Sequence, residues 1–166
     1  MIEVRLLSKS DNRKNFSCGN IELDYFFQKF AGQNQFKNYI GTNYVAIENE
    51  NILGFISVSS GEIYKEHFLS SEYSNLPYYP LPILRISRLG VVIGHQKSGI
   101  GQLLMKHVLE LSLEQKRKVG CFGVVVDSKD EAKNFYSKLG FIELQQSIKG
   151  KTSLMFLAMK VIEKAL

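Results

Sequence analysis

Two glycines, Gly99 and Gly101, stand in the string HQKSGIGQLL, directly behind Gln96, Lys97 and Ser98. Glycine lacks a Cβ, so main-chain N–H groups there can approach a ligand closely. A helix starting at that point adds unpaired amides and the positive end of its dipole. With a lysine beside it, such a turn suits an anion. The string fails the G-x-x-x-x-G-K-[ST] phosphate loop, because its lysine and serine precede the glycines. It meets the dinucleotide fingerprint G-x-G-x-x-G at two glycines only, since position 104 is Leu104. It does match Q/R-x-x-G-x-G/A at Gln96, Gly99 and Gly101. Taken alone, it also describes an ordinary strand-to-helix turn, where glycine is common.

Few other residues offer chemistry. Tyr136, in AKNFYSKLGF, carries a phenol that can donate a proton or simply pack on the inner face of a helix. Glu62 follows a strand end and could hold a water, but it also reads as an exposed loop glutamate. His95 reads as a surface residue beside the turn. Cys18 and Cys121 belong to no CxxC pair, and the three histidines form no ligand cluster, so two reduced structural thiols and no metal are expected. Were the site to act on an amine, the absence of a strong base would bear on which one. A lysine amine, with a pKa of about 10.4, is neutral in about one molecule per 2,500 at pH 7. An α-amine, at about 7.7–8.0, is neutral in about one per six to ten. The difference is about 3–4 kcal/mol of deprotonation, so a site without a base favours an α-amine.

The chain has 166 residues, 45% hydrophobic and 22% charged, as expected of one globular domain with a core of its own. No apolar run approaches the length that spans a bilayer, and the polar start MIEVRLLSKSDNRKNF lacks a signal-peptide stretch, so a cytoplasmic location without membrane attachment is expected. The net charge of +5 and a pI near 9.1 suit an anionic partner without requiring one.

The elements that must position these residues follow from periodicity. IEVRLL alternates like a first strand. Ser17 or Asn20 caps a helix through IELDYFFQKFAGQ. TNYVAIE and ILGFISVSS are strands joined at NEN. The three prolines make Glu66 to Pro82 an irregular excursion. The strand ILRISRLGVVI leads into the glycine turn and a helix ending near Lys118, with Ile100, Leu104, Val108 and Leu111 on one stripe and Gly120 as stop. CFGVVV is a strand covered on both sides. SKDEAKNFYSKLG is a helix capped by Ser128 and stopped by Gly140. FIELQQ and SLMFLAMKV close the chain as a strand pair. This is a mixed α/β (α+β) domain around a βαβ crossover.

The turn with its surroundings, RLGVVIGHQKSGIGQLL, the strand GVVVD and the string AKNFYSKLGF resemble the GNAT superfamily of acetyl-CoA-dependent N-acetyltransferases. The last string matches A-x-x-[LF]-Y-x-[KR]-x-G-F at Ala132, Phe135, Tyr136, Lys138, Gly140 and Phe141. The resemblance implies a GNAT fold over residues 1–166, a single mixed, splayed sheet flanked by helices. It implies that Gln96, Lys97, Ser98, Gly99, Ile100, Gly101 and Gln102 hold the pyrophosphate of acetyl-CoA, with Gln96 or Ser98 as side-chain donors. The backbone of Leu89, Gly90 and Val91 would hold the pantetheine arm like an added strand. Tyr136 would hydrogen-bond or protonate the departing sulfur. Lys129 stands where the family often has asparagine.

A narrower resemblance covers nearly the whole chain. FSCGNIELDYFFQKFAGQ matches F-x-C-G-x-x-x-L-D-x-F-[LF]-x-x-x-A-x-Q, and Pro80, Pro82, Arg88, Leu89, Gly90 and Val91 match P-x-P followed by R-L-[AG]-V, both patterns of GNAT-type toxins from toxin–antitoxin pairs. Ser87 stands where this branch commonly has glycine. The branch acetylates the α-amine of aminoacyl-tRNA and blocks translation. It is neutralised by an antitoxin that usually carries a ribbon–helix–helix part, and it tends to form homodimers. On this reading Arg85 and Arg88, on one strand face, meet RNA phosphate, with Lys29, Lys37 and Lys97 as further candidates. The alternatives are an acceptor that is a small-molecule amine or a protein N-terminus, or a non-catalytic CoA-binding module.

Overall fold

The computed structural model describes residues 1–68, 71–144 and 152–166. In chain order the elements are β1 (Glu3–Leu6), α1 (Ile21–Lys29), α2 (Ala31–Phe36), β2 (Thr42–Glu48), β3 (Asn51–Ile63), β4 (Leu81–Val91), α3 (Ile100–Lys118), β5 (Gly123–Lys129), α4 (Lys133–Lys138), β6 (Ile142–Glu143), β7 (Thr152–Ala158) and α5 (Met159–Ala165). The strands form a mixed sheet of order β1-β2-β3-β4-β5-β7-β6. The neighbours β4 and β5 are joined through α3 rather than a hairpin, as in the expected crossover. The chain divides into two compact units, one of Met1–Ser59 with Ile86–Val108, the other of Ser60–Arg85 with Leu109–Leu166.

In the first unit β2 pairs antiparallel with β1 and β3. The β2–β3 turn is Asn49-Glu50, both at positive φ (50° and 67°), the hand that matches strand twist in a two-residue hairpin. Asn20, not Ser17, caps α1, its side chain accepting from the Leu23 amide at 3.1 Å. The helix expected over residues 21–33 is two helices. Phe30, at φ −115° and ψ −25°, ends α1 and starts α2. The break lets Phe26 and Phe27 face the sheet, where Phe27 stacks on Phe55 with ring centroids 4.3 Å apart and Phe16 meets both. A buried polar thread crosses this core. Asn43 donates to the Ala31 carbonyl at 3.0 Å and to Gln35 Oε1 at 3.1 Å, and accepts from the Ser57 hydroxyl. Ser87 Oγ then donates to the Ser57 carbonyl at 3.3 Å, reaching β4.

In the second unit β7 pairs antiparallel with both β5 and β6. Its core holds Ile63, Leu81, Ile83, Val125, Leu154 and Phe156, with Phe68, Tyr73, Phe122 and Phe156 as an aromatic cluster. Three expectations change here. Ser128 is buried in β5 and its hydroxyl donates to the Lys129 carbonyl, so it caps nothing; a 3-10 turn, Asp130–Ala132, precedes α4 instead. SLMFLAMKV is not one strand: β7 ends at Ala158 and α5 follows, burying Met159 and Ile162 at helical spacing. Of FIELQQ only Ile142–Glu143 is strand, and Gln145 and Gln146 lie outside the described residues. The excursion before β4 carries the 3-10 turns Lys65–His67 and Ser71–Tyr73, and β4 already contains Pro82 at an exposed position.

Asn43 is 1% exposed, so its removal strands the partners it satisfies. Asn43→Ala is expected to lose about 2–4 kcal/mol in urea unfolding, for buried groups left without partners at about 1–3 kcal/mol each. In combination with Ser57→Ala the loss should be clearly less than additive, because the two share one hydrogen bond. Full additivity would show that the thread is not cooperative.

Candidate active site

β4 ends at Val91, and the chain leaves the sheet under tight control. The Val92 amide donates to the Leu53 carbonyl at 2.9 Å and the Ile93 amide to the Ser17 carbonyl at 3.0 Å. Just upstream, Gly90 leaves no room for a side chain: a Cβ there would stand 3.0 Å from Phe55 Cε1 and 3.4 Å from Cys18 Sγ. The segment Leu89–Val91 is thereby pressed flat against the phenylalanine core.

The turn reverses through Lys97 at φ +62° and Gly99 at φ +93°. A Cβ on Gly99 would meet only Gln102 Oε1, at 3.9 Å, so backbone hand and not crowding calls for glycine here. The Leu103 amide donates to the Gly99 carbonyl at 3.1 Å, the first rung of α3. Ile100, Gly101 and Gln102 therefore present amides with no acceptor inside the helix. The first turn of this 19-residue helix holds no acidic side chain to satisfy them, and the dipole end stays positive. Lys97 is exposed beside it. These features fit a pyrophosphate through main-chain amides.

The side chains of the turn do different work from that expected. Gln96 Nε2 donates to the Cys18 carbonyl at 2.7 Å and to the Val91 carbonyl at 2.9 Å. Both of its hydrogens fasten the turn to the loop before α1. The Ser98 hydroxyl donates to the His95 carbonyl. Gln96 and Ser98 thus shape the cradle with the hydrogens they were expected to offer a ligand.

Cys18 lies beneath this segment, 7% exposed, with its thiol pushed up to about 11 by burial and by neighbouring Asp24. Burial also raises Cys121. Both are thiols rather than thiolates at neutral pH and poor nucleophiles. Among the described residues no group of three or more His, Cys, Asp or Glu side chains could hold a metal ion. No helix there is long and apolar enough to cross a membrane.

In the second unit Tyr136 sits on α4 and is 5% exposed. Phe135 and Phe141 meet its ring edge-on at centroid distances of 5.1 and 5.5 Å. Gly140, at φ +102°, ends the segment as expected. Burial pushes the Tyr136 phenol up to about 12. It is therefore a neutral hydrogen-bond donor that parts with its proton reluctantly. Glu62 is exposed and accepts from Tyr64 Oη at 3.2 Å, and His95 is exposed.

The two arginines do not share surroundings. Arg85 makes a 2.9 Å ion pair with Asp127 of β5. Arg88 lies over Phe26 of α1, its guanidinium carbon 3.8 Å from the ring centroid, and partial burial lowers its pKa. They are three residues apart, an odd step that regular strand alternation sends to opposite faces, so the expectation of one shared face is corrected. Neither the Arg88–Phe26 contact nor the fastening role of Gln96 had a sequence signal beyond the motif letters themselves.

Three likenesses bear on this architecture. A protein of Mycobacterium tuberculosis (strain ATCC 25618 / H37Rv) named tRNA-acetylating toxin is 27% identical over 139 residues, 82% of each chain. The crystal structure of a tyrosine-to-phenylalanine mutant of KacT superposes with a TM-score of 0.90 at 23% identity, covering 99% of both chains. AtaT complexed with acetyl-methionyl-tRNAfMet does so with a TM-score of 0.88 at 24% identity, again over 99% of both. At such identities the two structures show the shared fold. Residues 17–163 match the family described as acetyltransferase (GNAT) domain. With that match spanning nearly its whole length, the chain belongs to the GNAT family of acetyltransferases.

Proposed function

We propose that this chain transfers an acetyl group from acetyl-CoA to the α-amine of an aminoacyl-tRNA, and that it is the toxin of a toxin–antitoxin pair. The observation that carries the acceptor is the likeness to a tRNA-acetylating toxin along 82% of the chain. Family membership and the free amides at the start of α3 support the donor. The whole of residues 1–166 would act as one catalytic domain in the cytoplasm. An antitoxin with a ribbon–helix–helix part and a second copy of the chain are its proposed partners.

Each residue has a task in this reading. The amides of Gly99, Ile100, Gly101 and Gln102 bind the pyrophosphate, with Lys97 adding long-range attraction and Gln96 and Ser98 holding the turn in shape. The backbone of Leu89, Gly90 and Val91 carries the pantetheine arm like an added strand. Acetyl-CoA supplies the activated acyl group as a thioester. Tyr136 holds its proton on Oη and offers it as a hydrogen bond to the sulfur. A phenol near 12 cannot give that proton outright to a thiolate whose own pKa is about 8.5; full transfer would be uphill by about 5 kcal/mol. Hydrogen-bond donation without transfer is the task that burial suits it for.

The direct test is acetylation of charged tRNA by the protein with acetyl-CoA, read together with inhibition of a translation extract. Charged tRNA should gain one acetyl group and deacylated tRNA none; acetylation of free amino acids or protein N-termini in preference to charged tRNA would defeat the proposal. Tyr136→Phe should lower kcat by about 10- to 100-fold, the scale of one hydrogen bond to a charged sulfur at about 1.5–3 kcal/mol, with the KM for acetyl-CoA nearly unchanged. An undiminished kcat would remove Tyr136 from the mechanism.

The same phenol gives a stability test that needs no substrate. Its folded pKa is raised, so the stability it protects is fully present below about pH 10 and is lost as the pH climbs towards about 12. The loss across that window should be about 2–3 kcal/mol by linkage. Tyr136→Phe should flatten that part of the unfolding profile, and an identical alkaline slope in the two proteins would contradict the burial of the phenol.

A further inference from the structure

The strip Phe16–Cys18, just before α1, is gripped alternately by that helix and by the chain that leaves β4. Gln28 Nε2 of α1 donates to the Phe16 carbonyl at 2.8 Å. The Ile93 amide, past the end of β4, donates to the Ser17 carbonyl at 3.0 Å. Gln96 Nε2, in the turn, donates to the Cys18 carbonyl at 2.7 Å. The Cys18 amide completes the set by donating to Asp24 Oδ1 of α1 at 2.8 Å. Three successive carbonyls and one amide thus join α1 to the segment that leads into α3. The bonds of Gln28, Asp24 and Gln96 to the strip are all partly buried, where a hydrogen bond is costly to lose.

Asp24 is the telling member. The cap of α1 is already supplied by Asn20, which accepts from the Leu23 amide, so the Asp24 carboxylate is spent outside its own helix. An ionised carboxylate in the unit that presents an anion cradle weakens anion binding by charge alone. Its geometry brings an opposite gain. If the strip moved, Ile93 and Gln96 would lose their anchors, and the turn would be in its binding shape for only a fraction of the time. The apparent affinity of a ligand falls by that fraction.

We infer that Asp24 and Gln28 of α1 are positioning residues for donor binding. They hold the strip, the strip holds Ile93 and Gln96, and the turn so held keeps the first amides of α3 in the shape that receives a pyrophosphate. This rests on the donor reading given above and names the side chains outside the turn that keep it competent. Both act through the strip and not on the ligand.

The test is calorimetric binding of acetyl-CoA to the full chain, for wild type, Asp24→Asn, Asp24→Ala, Gln28→Met, Gln96→Met and the pair Asp24→Ala with Gln96→Met. Unfolding curves show which variants fold. Asp24→Asn removes the charge but keeps an oxygen for the Cys18 amide, and it should bind as tightly as wild type or more tightly. Asp24→Ala removes charge and acceptor together, and it should bind about 10-fold more weakly or worse, the scale of one lost hydrogen bond to a charged group. Charge alone would move both variants the same way, so the split between them is the signature of positioning. Gln28→Met keeps the length of the side chain and loses the donor; it should weaken binding by about 3- to 10-fold. Gln96→Met should weaken binding too, and the pair should lose clearly less than the two single losses combined, because both cut one chain of contacts. Without ligand, the Ile93 amide should exchange its hydrogen faster in Asp24→Ala than in wild type. Equal affinity in Asp24→Ala and Asp24→Asn, or full additivity with Gln96→Met, overturns the inference. Should Asp24→Ala fail to fold, wild-type affinity in Gln28→Met overturns it instead. A wild-type protein that does not bind acetyl-CoA would remove the donor reading and the inference together, whereas a wild type that binds no better than Asp24→Ala removes the inference alone.

Discussion

Three amides at the start of α3 have no partner within their helix, and the rest of the first unit can be understood as the means of keeping them so. A helix can satisfy its own first turn with an acidic side chain, or bury it. Here no acid does so, and only Ile100 of the three residues is buried. The first turn holds no acid, and the residue that starts the ladder is a glycine at φ +93° with open space around it. Gln96 gives both its hydrogens to carbonyls outside the helix, at 2.7 and 2.9 Å. It fixes the turn without filling the cradle, a division of labour between side chain and backbone that a motif string cannot express.

Behind the turn the constraint becomes one of packing. β4 must pass close to the ring of Phe55, and Gly90 is the residue that permits it. On β3, Gly54 does the same for α3: a Cβ there would lie 3.0 Å from Ile100 Cγ2 and 3.2 Å from Leu104 Cδ1. Ile100 and Leu104 are the first two members of the apolar stripe on α3, both almost fully buried. The start of the helix is therefore set by core contacts rather than by the loop alone. This is why backbone amides on a mobile-looking glycine turn can hold a fixed geometry.

The parts of this fold that announced themselves in the sequence were those in which one period ran cleanly between two stops. α3, from Ile100 to Lys118, and β2, from Thr42 to Glu48, are of that kind. The failures occurred where two periods share one apolar run. In SLMFLAMKV the strand alternation passes into a helical step at Met159 with no polar residue to mark the change, because both β7 and the first turn of α5 are buried. The α1–α2 break was hidden for a related reason. Phe30 is apolar and fits a continued helix as well as a kink, and the choice is made by the packing of Phe26 and Phe27 on the sheet. Ser128 was misread because a serine before acidic residues signals a cap, whereas here the strand continues through it and its hydroxyl is spent next door. At the candidate site, the motif letters picked out the glycine turn and Tyr136. They gave no hint that Arg85 would be neutralised by Asp127 while Arg88 rests on an aromatic ring, since both depend on contacts 42 and 62 residues away in sequence.

The burial of Tyr136 and the choice of acceptor are linked by proton accounting. Amide formation releases a proton from the attacking nitrogen, and the departing sulfur ends with one. A buried phenol near 12 can stabilise the sulfur but cannot act as the base that prepares the amine, because it holds its proton more firmly than an ammonium of pKa 7.7–8.0 does. Glu62 and His95 are exposed, and Cys18 is a protonated thiol. A nucleophile that requires deprotonation by the protein is thus poorly served. An amine attached to an ester-linked amino acid loses its proton to water near neutral pH, and it arrives already neutral in a useful fraction. On the proposed reading the protein has only to hold donor and acceptor together and can leave the proton to solvent.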